Sequence, residues 1–271
     1  MYFFRLWPET MKIYRINTIL LHTWYHFLHS METWVDLFWN STLQILVYVF
    51  LARVFSHSST IEFTRYLIVG AILWNAIWVA QYGICLGALW EIWAKSFSTM
   101  FISPLTLNEF LVGQMISGAI KSVLAVAMSA IIAYYLYGFS IFSLGWILIP
   151  AYLLLLIFGW GLGMLVLSLI FRFGTQVQSL SWSVVFLVQP LGGVFYPLSV
   201  LPEAMRWVGE IMPSSYIFIS IREYLKDGRI AWTELGIGLV LSIAYFLIGY
   251  LVLTHSFRQA KITGAFARME G

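Results

Sequence analysis

Six stretches of this chain are apolar over about the 20 residues that a helix needs to cross a bilayer. They cover residues 37–55, 66–90, 110–137, 144–171, 177–195 and 235–255. In hydrocarbon every backbone N–H and C=O must be paired within the protein, and long apolar segments do this as helices. The expected fold is therefore an all-α integral membrane protein with six transmembrane helices. Of the 271 residues, 61% are hydrophobic and 10% charged, against about 25% charged in soluble domains. No basic stripe lies on a polar surface, which argues against nucleic acid as a partner. Cys85 is the one cysteine, so neither an intrachain disulfide nor a cysteine-based metal site can form. Residues 1–8 are aromatic and do not read as a signal peptide.

An even number of spans puts both termini on one side, and the positive-inside rule chooses it. With the termini cytoplasmic, the inner segments hold Arg5, Lys12, Arg15, Lys95, Arg172, Arg258, Lys261 and Arg268. The outer ones hold Arg53, Arg65, Arg206, Arg222, Lys226 and Arg229, four of them in one long loop that the rule weights weakly. The expected division is a cytoplasmic N-terminus over 1–31 and a six-span domain over 32–271. Gly83 and Gly87 form a G-x-x-x-G pair, and Gly159, Gly161 and Gly163 mark the fourth span. Such residues serve close helix packing, within one subunit or between two.

Residues 11–30 carry helical periodicity. Lys12, Arg15, His22, His26 and His29 share a narrow arc; Ile13, Ile16, Leu20, Trp24, Phe27 and Leu28 lie opposite, with Ile19 a misfit. An amphipathic helix of this kind is expected in the membrane interface. The spacing of His22, His26 and His29 suits either a metal or an uncharged polar face at the headgroups.

Between the second and third spans, residues 91–105 read as a short amphipathic helix on the inner side. Glu91 and Lys95 are spaced as a helical ion pair, Ser103-Pro104 stops the helix, and Thr106 or Asn108 can cap the next. Between the fifth and sixth spans, Pro197, Pro202 and Pro213 interrupt a half-apolar stretch. Pro202 suits a first helical turn, Ser214 or Ser215 suits an N-cap, and two short re-entrant helices over 197–224 are expected. Irregular backbone at membrane depth needs protein or a water-filled cavity beside it. The mixed charges from Glu203 to Arg229 read as a solvated or networked face.

These two segments resemble the permease of ATP-binding-cassette exporters of the second membrane type. The similarity lies in an acidic residue after the second span, an amphipathic helix ending in Ser-Pro, and Glu109-Phe-Leu-x-Gly113 opening the third. It lies more specifically in Gly193, Pro197, Leu201-Pro202 and Pro213-x-x-Tyr216. The resemblance implies a dimer with a second copy of the chain and two copies of an ATPase subunit that binds ATP and Mg. It implies that residues 91–105 are the coupling helix, through Glu91, Trp93, Lys95, Ser96, Phe97, Met100, Ser103 and Pro104. It implies an outer gate that includes Gly193, Pro197, Pro202, Pro213 and Tyr216. Where the family often has Gly-Thr early in the coupling helix, this chain has Lys95-Ser96-Phe97.

No G-x-x-x-x-G-K-[ST] loop occurs, so a P-loop motor must be another polypeptide. No H-E-x-x-H or G-x-S-x-G occurs either. Lys121 lies within the third span, where an ammonium is costly and marks function by default. Meeting an anionic substrate headgroup, pairing with a carboxylate such as Asp36, and snorkelling all remain open to it. Trp39, Asn40, Gln44, Gln81, Gln178 and Gln189 are the other candidates for a translocation path. The expectation is an exporter subunit in the plasma (inner) membrane, contacting lipid and moving an amphipathic cargo such as a lipid, a lipid-linked glycan or a lipophilic drug. It binds no cofactor itself. The alternatives are a membrane enzyme acting on a lipid or isoprenoid-linked substrate, for which only the three histidines qualify, and a scaffold subunit.

Overall fold

The computed structural model describes residues 11–56 and 61–270, and no strand occurs among them. The helices are α1 (Ile13–His29), α2 (Met31–Trp34), α3 (Asn40–Ser56), α4 (Ile61–Trp93), α5 (Phe97–Met100) and α6 (Leu107–Tyr137). There follow α7 (Leu148–Phe173), α8 (Leu180–Leu191), α9 (Glu203–Glu210), α10 (Pro213–Asp227), α11 (Trp232–Thr263) and α12 (Ala265–Glu270). A π-helical turn, Val35–Trp39, makes α2 and α3 one continuous span.

Among the described residues, five helices are long and apolar enough to cross a membrane: Met31–Val54, Glu62–Trp93, Leu107–Tyr137, Ile141–Phe173 and Trp232–Thr263. Burial ranks them. The apolar windows of α4 and α7 are 89% and 72% buried; those of α3, α6 and α11 are 28%, 28% and 22%. The chain therefore wraps three more exposed helices around a central pair. Small residues let that pair approach closely. A Cβ on Gly159 would meet the Ile77 carbonyl oxygen at 2.8 Å, and one on Gly163 the Gln81 carbonyl oxygen at 2.8 Å. On the other flank a Cβ on Gly249 of α11 would lie 2.5 Å from the Gly161 carbonyl oxygen. The glycines of the fourth span thus pack helices within one chain. Polar glue adds to this: Asn75 of α4 accepts from Ser41 Oγ at 2.9 Å and donates to Ser129 Oγ at 3.2 Å, joining α3, α4 and α6.

The segment expected as a fifth span, 177–195, folds differently. A 3₁₀ turn over Thr175–Val177 leads into α8, which has 12 residues. At 1.5 Å per residue that is about 18 Å, short of a hydrocarbon core of about 30 Å. Pro190 removes a donor inside α8, and the helix stops at Leu191. Its apolarity was legible; its early end was not, because an apolar run gives no length of its own.

Helix α1 falls where the periodicity put it, but its packing is lengthwise. Arg15 meets Glu109, Ile19 meets Gly113 and Phe27 meets Lys121, so α1 runs parallel to α6 over several turns. Ile19, the misfit of the amphipathic pattern, is one of its most buried residues. Leu21, Trp24 and Leu28 stay exposed. The buried seam is Arg15, Ile19, Thr23 and Phe27, which cuts across both arcs and leaves His22 and His29 exposed.

Candidate coupling and translocation sites

Helix α4 runs through Glu91 and Trp93 before it ends, which corrects the expected helix over 91–105. Lys95 adopts φ 57°, in the left-handed region, and breaks the helix. The Glu91–Lys95 helical pair is replaced. Ser96 Oγ donates to Glu91 Oε2 at 2.5 Å, and His22 Nδ1 lies 3.3 Å from Glu91 Oε1. What projects between α4 and α6 is one helical turn, α5, closed by Ser103 Oγ donating to the Met100 carbonyl. Thr106 then caps α6 in a reciprocal box with Glu109.

Phe97 anchors the turn. It is fully buried, with ring centroids at 5.0 Å from Phe101, 5.4 Å from Phe171 and 5.1 Å from Phe266. Phe266 comes from α12, at the far end of the chain, and no local pattern signals this meeting. Lys95, Ile102 and Ser103 are exposed on the other side. Beside them a cleft of about 410 Å³ opens between α1 and the turn, lined by Tyr14, Arg15, Thr18, Ile19, His22, Glu91, Ser96, Met100, Ser103, Pro104 and Leu105.

Glu109 ties the region together. Its fully buried carboxylate accepts from Lys12 N at 2.9 Å, Thr106 N at 2.8 Å and Thr106 Oγ1 at 3.0 Å, with Arg15 Nη1 at 3.5 Å. The three histidines have separate partners. His22 faces Glu91, His26 packs on Trp90 at 4.8 Å, and His29 Nδ1 lies 2.9 Å from the Tyr25 carbonyl oxygen. Burial pushes the His26 imidazole below its usual value, and the Lys121 charge adds to this. Among the described residues no three His, Cys, Asp or Glu side chains gather as metal ligands.

The proline-rich stretch is a compact folded unit. Gly193 has φ 62°, and its carbonyl accepts from Arg222 Nη1 at 2.6 Å. Tyr196 OH donates to the Pro190 carbonyl at 2.8 Å. Pro197 leads into a 3₁₀ turn over Leu198–Val200, and Pro202 precedes α9. Pro213 stands in the first turn of α10, so Ser214 and Ser215 are not its N-cap. Both are fully buried inside the helix, and Ser215 Oγ donates to the Gly209 carbonyl at 2.7 Å, joining α10 to α9. Tyr216 is half-buried beside them.

The polar residues expected along a path divide into groups. Asn40, Gln44 and Gln189 line one groove of about 300 Å³ between α3 and α8, together with Tyr48, Trp74, Trp78 and Phe186. Trp39 is exposed near its end. Gln81 is buried, and its Nε2 donates to the Ser181 carbonyl at 3.2 Å, fixing α4 to α8. Gln178 accepts from Trp93 Nε1 at 3.1 Å, which ties the start of α8 to the end of α4. Lys121 belongs to neither group; it sits under α1, 5.5 Å from the Phe27 ring centroid. Asp36, one of its expected partners, accepts from Tyr82 OH instead.

A family model described as ABC-2 type transporter matches residues 17–225, which takes in most of α1, the turn after α4, the polar groove and nearly all of the proline-rich unit. No curated protein matches the chain in a sequence comparison.

Proposed function

Because the chain belongs to the ABC-2 type transporter family, whose membrane subunits work with a separate ATP-binding-cassette ATPase, we propose that it is the permease of an exporter moving an amphipathic substrate outward. The observation that carries this reading is the coupling turn. One exposed helical turn stands between two long membrane helices and is held from behind by Phe97. A push on Lys95, Ile102 or Ser103 would pass through that aromatic cluster into α7, α12 and, through Phe257 at 4.9 Å from Phe101, α11. The Trp93–Gln178 bond offers a second route, into α8 and the groove of Asn40, Gln44 and Gln189.

In this reading two chains and two ATPase subunits form the complex, in the plasma (inner) membrane with both termini cytoplasmic. ATP and Mg bind to the partner. Helix α8 and its unwound continuation form a fifth crossing, while α9 and α10 dip into the outer leaflet as the gate. The groove is aromatic and weakly polar, which suits a lipid, a lipid-linked glycan or a lipophilic drug. The work is conformational, with substrate affinity differing between two states.

The test is reconstitution with the partner ATPase in vesicles, following ATP-dependent movement of a fluorescent lipid. Gln44→Leu and Gln189→Leu together should lower transport at least about tenfold, the effect of losing roughly 1.4 kcal/mol of substrate interaction, while basal ATP hydrolysis persists. Unchanged transport by that double variant would remove the groove from the path.

A further inference from the structure

Lys121 is a charge that the packing of α1 against α6 leaves without an ion-pair partner among the described residues. The carboxylates near it are engaged elsewhere: Asp36 accepts from Tyr82 OH, and Glu91 accepts from Ser96 Oγ and faces His22. No carboxylate among the described residues lies within ion-pair distance of Lys121 Nζ; its close partner is the Phe27 ring.

The ammonium stands where two cavities meet. A small one of about 60 Å³ lies inward and holds His22, His26, Asp36 and Glu91. A larger one of about 410 Å³ opens outward between α1 and α6. Its apolar walls are Leu20, Leu21, Trp24, Phe27, Ile120 and Leu124, and Asn17 and Ser117 are its other polar residues. Leu21, Trp24 and Ile120 expose about half their surface there, and Leu124 39%. An apolar trough with one cation at its inner end has the pattern of an amphipath that carries one negative charge. A water-soluble anion would gain nothing from the walls, and a neutral lipid would leave the ammonium unmatched.

We propose that this groove binds one anionic phospholipid, with its phosphodiester at Lys121 and an acyl chain along α1 and α6. The exposed Leu21 and Trp24 of α1 open the groove to the leaflet that α1 occupies. Lipid bound there props α1 against α6, so the site would sense the anionic lipid content of the membrane. The proposal concerns binding alone and does not depend on what is exported.

Native mass spectrometry of the full-length chain tests it without ATP or ATPase, so the outcome is separate from that of the transport reading. The protein is offered phosphatidylglycerol or phosphatidylcholine with identical acyl chains. One phosphatidylglycerol per chain should be retained in preference. Lys121→Met should lower that retention about fivefold or more, as loss of one lysine–anionic lipid contact predicts, and Lys121→Arg should keep it. Leu124→Trp, which fills the groove and spares the cation, should also lose the lipid. Equal retention of the two lipids, or phosphatidylglycerol retention that neither Lys121→Met nor Leu124→Trp alters, would overturn the site.

Discussion

Glu109 shows how much one side chain can decide. Three donors converge on its fully buried carboxylate, one from the start of α1 and two from the cap of α6, and the Arg15 guanidinium stands 3.5 Å away as an ion pair. A buried carboxylate is tolerable only when its lone pairs are met, so Glu109 fixes α1, the turn after α4 and α6 in one arrangement. Removing it should loosen α1 first. In an Ile19→Cys background, where the native Cys85 is buried, maleimide labelling at position 19 should be at least about tenfold faster with Glu109→Ala, in proportion to the more frequent opening of the helix. Equal labelling rates would show that α1 is held by its other contacts. Thr106 was one of two caps that the sequence offered, and its reciprocal pairing with Glu109 emerges only in the structure. The long-range half, from Lys12 and Arg15, was not legible, because no local spacing links α1 to α6. Ile19 carried the missing signal: its place among polar residues marked the buried seam.

Among the elements, the long spans were legible and the short ones were not. Apolar length located α3, α4, α6, α7 and α11, since lipid rewards little else over such distances. The segment between α4 and α6 was read as too long a helix; the left-handed Lys95 divides it, and charge spacing alone cannot reveal that. The apolar run over 177–195 overstates α8, because Pro190 and Gly192–Gly193 end the helix while leaving the stretch apolar. The polar joints between spans belong to this scale too. Asn75 is fully buried and reaches Ser41 and Ser129 on two other helices. Interhelical hydrogen bonds in membranes are worth about 0.6 kcal/mol on average and about 1.7 at most. Asn75→Leu should therefore lower stability by about 1 kcal/mol, within that range, as measured by detergent titration of unfolding. A loss several times larger would mean that the volume change in the core, not the bonds, dominates.

At the scale of the whole molecule, the proposed reading assigns a motor-facing end and a separate path. The turn after α4, α1, the Phe97 cluster and α12 gather at one end. The proline-rich unit closes on itself through Arg222–Gly193 and Ser215–Gly209. The groove of Asn40, Gln44 and Gln189 lies between α3 and α8. The missing phosphate loop already pointed to a separate motor, and the family assignment agrees with that. The cargo stayed illegible because a weakly polar aromatic groove matches many amphipaths.

The central claim is that ATPase force enters through the turn after α4. Ile102, 83% exposed on that turn, gives the direct measurement: an Ile102→Cys chain, assembled with its ATPase, is treated with a short thiol cross-linker while ATP hydrolysis is followed. The account predicts a cross-link to the ATPase that forms in good yield and uncouples hydrolysis from transport. Free labelling of the introduced thiol in the assembled complex, with no cross-link and with transport intact, would contradict it.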